Sequence, residues 1–166
     1  GMQPAVCEKG LLVLDCSTHG KSGHAARNEG INALYKATET IEALRTFEFP
    51  LASDLLGKVK LTVTQIQAGT QHNVIPDRCD FVVDVRTNDR YTNAEAVEIL
   101  KSRFPEVKIT PRSLRLNSSA ISMQHPFVRR ALLAGYKPFG SPTLSDQALM
   151  PFPSVKMGPG DSSRSH

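Results

Sequence analysis

Between Lys58 and Arg86 the chain twice alternates apolar and polar side chains, with one loop between the two runs. Val59, Leu61 and Val63 face one way, and Lys60, Thr62 and Thr64 the other. Further on, Cys79, Phe81, Val83 and Val85 oppose Asp80, Asp84 and Arg86. A period of two is the mark of a half-buried strand. The pattern therefore predicts strands over 58–67 and 79–86, in a sheet with one apolar face that other elements must cover.

Two helices are expected to supply that cover. Ile31, Leu34, Ile41, Leu44 and Phe47 recur at helical spacing until Pro50 prevents continuation. Thr92-Asn-Ala-Glu95 has the form of a capping box, in which Thr and Glu satisfy each other's free backbone donors. The helix it opens carries Ala96, Val97, Ile99, Leu100 and Phe104 on one side and stops at Pro105. A strand over 9–19 precedes this set and a short one over 107–110 closes it. The order over 9–116 is β-α-β-β-α-β, which predicts an α+β domain of the ferredoxin-like kind. Beyond Asn117 the character changes to one helix over 126–135 and a Pro- and Gly-rich tract over 138–160. One helix and two short strands cannot close a core of their own. The expected division is thus 1–116 as one domain and 117–166 as a fragment of another.

Composition narrows the function classes. With 40% hydrophobic and 22% charged residues the chain reads as a soluble globular protein. No apolar run approaches the ~20 residues of a membrane span, and no signal-peptide layout is present. A cytoplasmic protein that binds no membrane is expected. The net charge of +4 is scattered rather than gathered on one face, which argues against nucleic-acid binding. The three cysteines form no C-x-x-C pair, and Cys16 and Cys79, which sit in strand-like runs, read as buried thiols. None of the five histidines has the spacing of a zinc pair.

Four ordered segments carry a resemblance. They are Gly20-Lys-Ser-Gly-His-Ala-Ala-Arg27 with Gly30-Ile-Asn-Ala33, then Asn73-Val-Ile-Pro-Asp77, then Asp84-Val-Arg86, and finally Gly158-Pro-Gly-Asp-Ser-Ser-Arg-Ser-His166. Together they resemble the zinc-dependent aminoacylase and carboxypeptidase family, which includes acetylornithine deacetylase, succinyl-diaminopimelate desuccinylase and carboxypeptidase G; the phrasing is closest to acetylornithine deacetylase. The resemblance implies a ferredoxin-like dimerisation domain inserted into an α/β zinc-exopeptidase catalytic domain. It implies a homodimer that cleaves the amide bond of a small N-acyl amino acid, with acyl-ornithine or acyl-citrulline as the leading substrate and two zinc ions as cofactor. The family's H-x-D, bridging Asp and paired Glu, one of them the general base, match nothing in this chain. By itself the chain is therefore expected to bind no zinc and to be inactive.

Roles carry over residue by residue. His24 corresponds to the histidine that reaches the partner subunit's active site, where an imidazole N–H stabilises an oxyanion. Asn73 matches an amide donor near the substrate. Arg86 offers a fork for a carboxylate, and Gly158 and Gly160 a backbone that could face an anion. His166 matches the last metal ligand. The plainer readings are a loop histidine, a turn asparagine, an arginine paired with Asp84 or Asp89, and an ordinary glycine turn. Two rival functions stand beside the deacylase: a dipeptidase or carboxypeptidase of the same family, and a non-catalytic ferredoxin-like binding module.

Overall fold

The computed structural model describes residues 2–158. Its strands are β1 (Ala5–Glu8), β2 (Leu12–His19), β3 (Gly23–His24), β4 (Lys60–Ala68), β5 (Val74–Ile75), β6 (Arg78–Arg86), β7 (Lys108–Pro111), β8 (Ser119–Ala120) and β9 (Phe139–Ser141). Three α-helices, α1 (Ala33–Thr46), α2 (Asn93–Arg103) and α3 (Pro126–Leu133), and a 3₁₀ turn at Asp146–Leu149 complete it.

The main sheet has the order β4-β6-β2-β7 and is antiparallel throughout. This is the expected ferredoxin-like arrangement, with α1 and α2 on one face. Leu12, Leu14 and Cys16 of β2 and Phe81, Val83 and Val85 of β6 form the floor of the core. Ala33 and Ala37 of α1 and Ala96 of α2 are fully buried, and their small side chains let the helices sit close to it. Asn32 caps α1 by accepting from the Leu34 N–H at 2.9 Å. The capping box at α2 is complete, with Thr92 N–H donating to Glu95 Oε2 at 2.8 Å and Glu95 N–H to Thr92 Oγ1 at 3.2 Å. No helix among the described residues is long and apolar enough to cross a membrane.

A second, three-stranded sheet has the order β8-β1-β9, and β1 runs parallel to β9. Period-two reading passes over β1 because all four of its residues are buried, as is usual for a parallel strand covered on both faces. The N-terminal strand thus pairs with segments beyond residue 117. The ferredoxin-like β-α-β-β-α-β order runs from β2 to β7. α3 closes at Leu133 rather than 135, since Gly135 turns the chain with φ +83°.

Both crossings between the sheets, at 9–11 and 115–118, lie side by side, and Leu11 N–H donates to Leu116 O at 2.9 Å. Asn93, fully buried at the start of α2, ties them. Its Nδ2 donates to Leu11 O at 3.1 Å and Leu116 O at 2.9 Å, and its Oδ1 accepts from Thr87 Oγ1 at 2.9 Å.

Candidate functional site

The two loops singled out in the sequence meet at one end of the main sheet. β2 ends at His19 opposite Arg78, and the chain then turns through residues 20–31. Gly20 is required there because a Cβ would lie 2.0 Å from Ile31 O. Gly30 sits at φ +87°, a conformation that side chains rarely adopt. Lys21 and Ile31 exchange backbone hydrogen bonds at 2.8 Å and close the loop. From it β3 pairs with β5, setting Gly23 opposite Ile75 and His24 opposite Val74. Ala25 N–H donates to Asn73 O at 2.9 Å, so His24 and Asn73 share one small ribbon.

His24 is exposed at the ribbon's tip. Its Nδ1 accepts from Ala26 N–H at 3.1 Å. A neutral imidazole that accepts at Nδ1 carries its proton at Nε2. The loop therefore fixes the tautomer and leaves His24 an outward N–H donor. Glu29 Oε1 accepts from the His24 backbone N–H at 3.2 Å and fastens the tip from below.

Arg86 is not part of this cluster. It ends β6 at the opposite end of the sheet, roughly 26 Å from Arg78 at the usual rise per strand residue. Its Nε and Nη2 donate to Asp84 Oδ1 and Oδ2 at 2.7 and 3.0 Å, a bidentate pair that is half-buried. At that end the main sheet joins the second one. Gly158 follows Lys156, which exchanges backbone hydrogen bonds with Ala5 at the margin of β1. A Cβ at Gly158 would meet nothing within 4 Å, so contacts among the described residues do not demand a glycine. Gly160 and His166 lie outside the described residues.

Sequence reasoning missed a buried carboxylate. Glu8 is fully buried in β1, accepts from Ser145 N–H and Oγ at 2.9 and 2.6 Å, and pairs with Lys156. One acidic residue ending the short apolar run Ala5-Val6-Cys7 was the available signal. Among the described residues no group of three or more His, Cys, Asp or Glu side chains could hold a metal ion.

Comparison with known proteins decides the family. The model of the M20 peptidase dimerisation domain matches residues 6–109. The chain belongs to that family. Among curated M20 relatives, succinyl-diaminopimelate desuccinylase 2 of Shewanella loihica is 28% identical over 88 residues, covering 52% of this chain and 23% of the relative. Succinyl-diaminopimelate desuccinylase 1 of Alteromonas mediterranea is 26% identical over 107 residues, covering 63% and 27%. The chain thus spans about a quarter of the length of these relatives. Aminopeptidase PepT from Bacillus cereus has the same fold, with a TM-score of 0.68 at 15% identity over 95% of this chain and 46% of that one. A dinuclear metal-binding peptidase of the M20 family from Bacillus subtilis gives 0.61 at 20% identity over 90% and 39%.

Proposed function

We propose that this chain is the dimerisation domain, with an adjoining part of the catalytic domain, of a zinc-dependent homodimeric hydrolase that cleaves N-acyl amino acids in the cytoplasm. In this reading residues 9–116 are the dimerisation unit, and β1 with residues 117–166 belongs to the catalytic unit. His24 works in the partner subunit's site.

The observation that carries the reading is the separation of the His24–Asn73 ribbon from Arg86 and the second sheet along one strand length. Within one chain these groups cannot close on one small substrate. A two-fold axis through the free edge of β4 removes the difficulty. Of the two sheet edges, β7 has four residues and carries Lys108 and Pro111, features that discourage pairing. β4 has nine residues, and Lys60 is its only charge. Antiparallel pairing of β4 with its copy sets the Ala68 end of one strand beside the Lys60 end of the other. That brings the ribbon of each subunit toward the end where the other carries Arg86 and its second sheet.

At such a shared site the Nε2–H of His24 donates to the amide carbonyl oxygen as it takes on negative charge. Arg86 holds the substrate carboxylate with the part of its fork that Asp84 leaves free, helped by the backbone of Gly158 and Gly160, and Asn73 donates from the ribbon. The described residues do not fit a metal ion by themselves. His166 is this chain's expected zinc ligand, with the others supplied from outside it. Acyl-ornithine and acyl-citrulline remain the substrates we favour. The names of the curated relatives support an N-acyl amino acid as the class and make succinyl the competing acyl group.

The test uses the complete protein that contains this chain. His24→Ala should lower kcat on the order of a hundred- to a thousandfold, the usual size for a lost oxyanion donor, with metal content and dimerisation unchanged. A His24→Ala subunit paired with one lacking the metal-site glutamate base should regain one working site per heterodimer. A heterodimer, verified by mass, that is no more active than its two parents would refute the shared site. Assaying acetyl- and succinyl-amino acids side by side decides the acyl group.

A further inference from the structure

The loop between α1 and β4 leaves the main sheet and plugs into the second one. It is a rigid piece. Ser53 and Gly57 exchange backbone hydrogen bonds at 3.0 and 2.9 Å, and Ser53 Oγ accepts from Leu56 N–H at 3.1 Å. Its base is fastened to the main sheet by Asn88, fully buried just beyond β6, whose Nδ2 donates to Leu51 O at 3.2 Å and Gly57 O at 2.8 Å. At its tip Leu56, 7% exposed, belongs to the second core with Val6, Cys7, Ile121 and Val128. On β9 the loop meets Gly140, where a Cβ would stand 2.4 Å from Leu55 O and 2.9 Å from Leu56 Cδ2. A surface loop normally runs over its own domain. This one is anchored in one domain and buried in the other.

We propose that Leu56 is a positioning residue: a peg seated in the second core that sets the angle between the dimerisation unit and the second sheet. The two crossing segments at 9–11 and 115–118 lie next to each other and define a hinge line, about which they resist rotation poorly. The peg and the Gly140 surface give a third point of contact away from that line, and three points fix an orientation. Leverage makes the constraint matter. The His24 ribbon lies roughly 26 Å from the hinge end, so a rotation of only about 2° moves it by about 1 Å. A misplacement of that size at a reacting centre can cost about a hundredfold in rate. The catalytic consequence rests on the trans-site reading above, whereas the orientation itself does not.

Pulsed electron spin resonance tests the peg in this chain, diluted with unlabelled copies and labelled in the native state, where Cys7, Cys16 and Cys79 are buried. Nitroxides on cysteines introduced at Ser22 and Leu133 span the two units; a second pair, at Ser22 and Glu98, stays inside the first. The spanning distance should be narrow in the parent and should broaden or shift by several ångströms in Leu56→Ala and in Gly140→Ala. The internal pair should hold in all of them, and Leu56→Met should restore the narrow distribution. A spanning distance unchanged in both variants, or an internal pair that broadens as much, would overturn the proposal. In the complete enzyme Leu56→Ala should lower kcat more than it raises KM, and undiminished kcat beside a broadened distance would overturn the positioning role. If His24→Ala costs no activity, the trans-site reading fails while the distance measurement still judges the peg.

Discussion

Asn93→Ala is the substitution whose cost can be worked out most directly. The side chain makes three hydrogen bonds with no solvent exposure, two to the carbonyls of Leu11 and Leu116 and one from Thr87 Oγ1. Three net hydrogen bonds at about 1 kcal/mol each set a scale of about 3 kcal/mol. Leu116 O keeps the Leu11 N–H after truncation, which lowers the figure. Leu11 O and the Thr87 hydroxyl keep no protein partner in place of the amide, which raises it toward the cost of unsatisfied buried groups. A loss of about 2–4 kcal/mol results. With a urea slope of about 2 kcal/mol per molar for a chain of this size, the midpoint should fall by roughly 1–2 M. Urea titration followed by far-UV circular dichroism measures it. A shift under about 0.3 M would show that water replaces the clamp at little cost, and the account of the crossing as a dry polar junction would be wrong. Asn93→Asp should do no better, because it exchanges the two-bond donor for an acceptor facing two carbonyls.

Two further outcomes follow from the ionisable groups. Burial pushes the Cys16 thiol up to about 12 and the Cys7 thiol up to about 11, with Asp15 adding to the first and Asp89 and Glu8 to the second. Both should resist iodoacetamide at pH 8 in the native chain and react at ordinary rates in urea; rapid native labelling would contradict their burial. The hydrogen bond from Arg112 holds the Asp15 carboxyl below the usual carboxylate range, at distances of 2.8–3.1 Å. A depressed folded value means that the pair's stabilisation is complete above the unfolded carboxylate pKa and is lost as pH falls through the folded one. The melting-temperature gap between the parent and Arg112→Gln should therefore be widest near neutral pH and close in acid. A gap that grows in acid would reverse the assignment, and its size should be small because both partners are half exposed.

Most of the main sheet was legible because its elements obey simple periods. β4 and β6 alternate, α1 and α2 carry apolar residues at helical spacing, and the capping box at Thr92 is local chemistry that needs no tertiary knowledge. β1 was illegible for the opposite reason. Its four residues are buried together, and what makes Ala5–Glu8 a strand is a partner far along the chain. β4 shows a smaller failure of the same kind: a register shift between Val63 and Gln65 breaks the alternation, and Ile66 is left 50% exposed. For the site, the loops bearing His24 and Asn73 were readable from their glycines and their order, and the fold brings them together as a ribbon. Their distance from Arg86 was not readable, because the length of a strand becomes a separation only once its register is known. Nor did the sequence announce the seat of Leu56, since it is one of three leucines between Pro50 and Val59 and nothing local sets it apart from Leu51 and Leu55.

The parallel pairing of β1 with β9 bears on how the protein is made. Strand β1 leaves the ribosome before the main sheet exists, and its partner emerges more than a hundred residues later. At about 5–20 residues per second the interval is on the order of ten seconds, ample for the intervening unit to fold, since its two ends already lie together. Throughout that time Val6 and Cys7 stand on a strand that lacks its parallel partner. The β1 segment of the nascent chain therefore waits longer for its parallel partner than any strand of the main sheet waits for a neighbour, and on that side it stays open to chaperones, or to pairing with another copy, until Phe139–Ser141 has been synthesised.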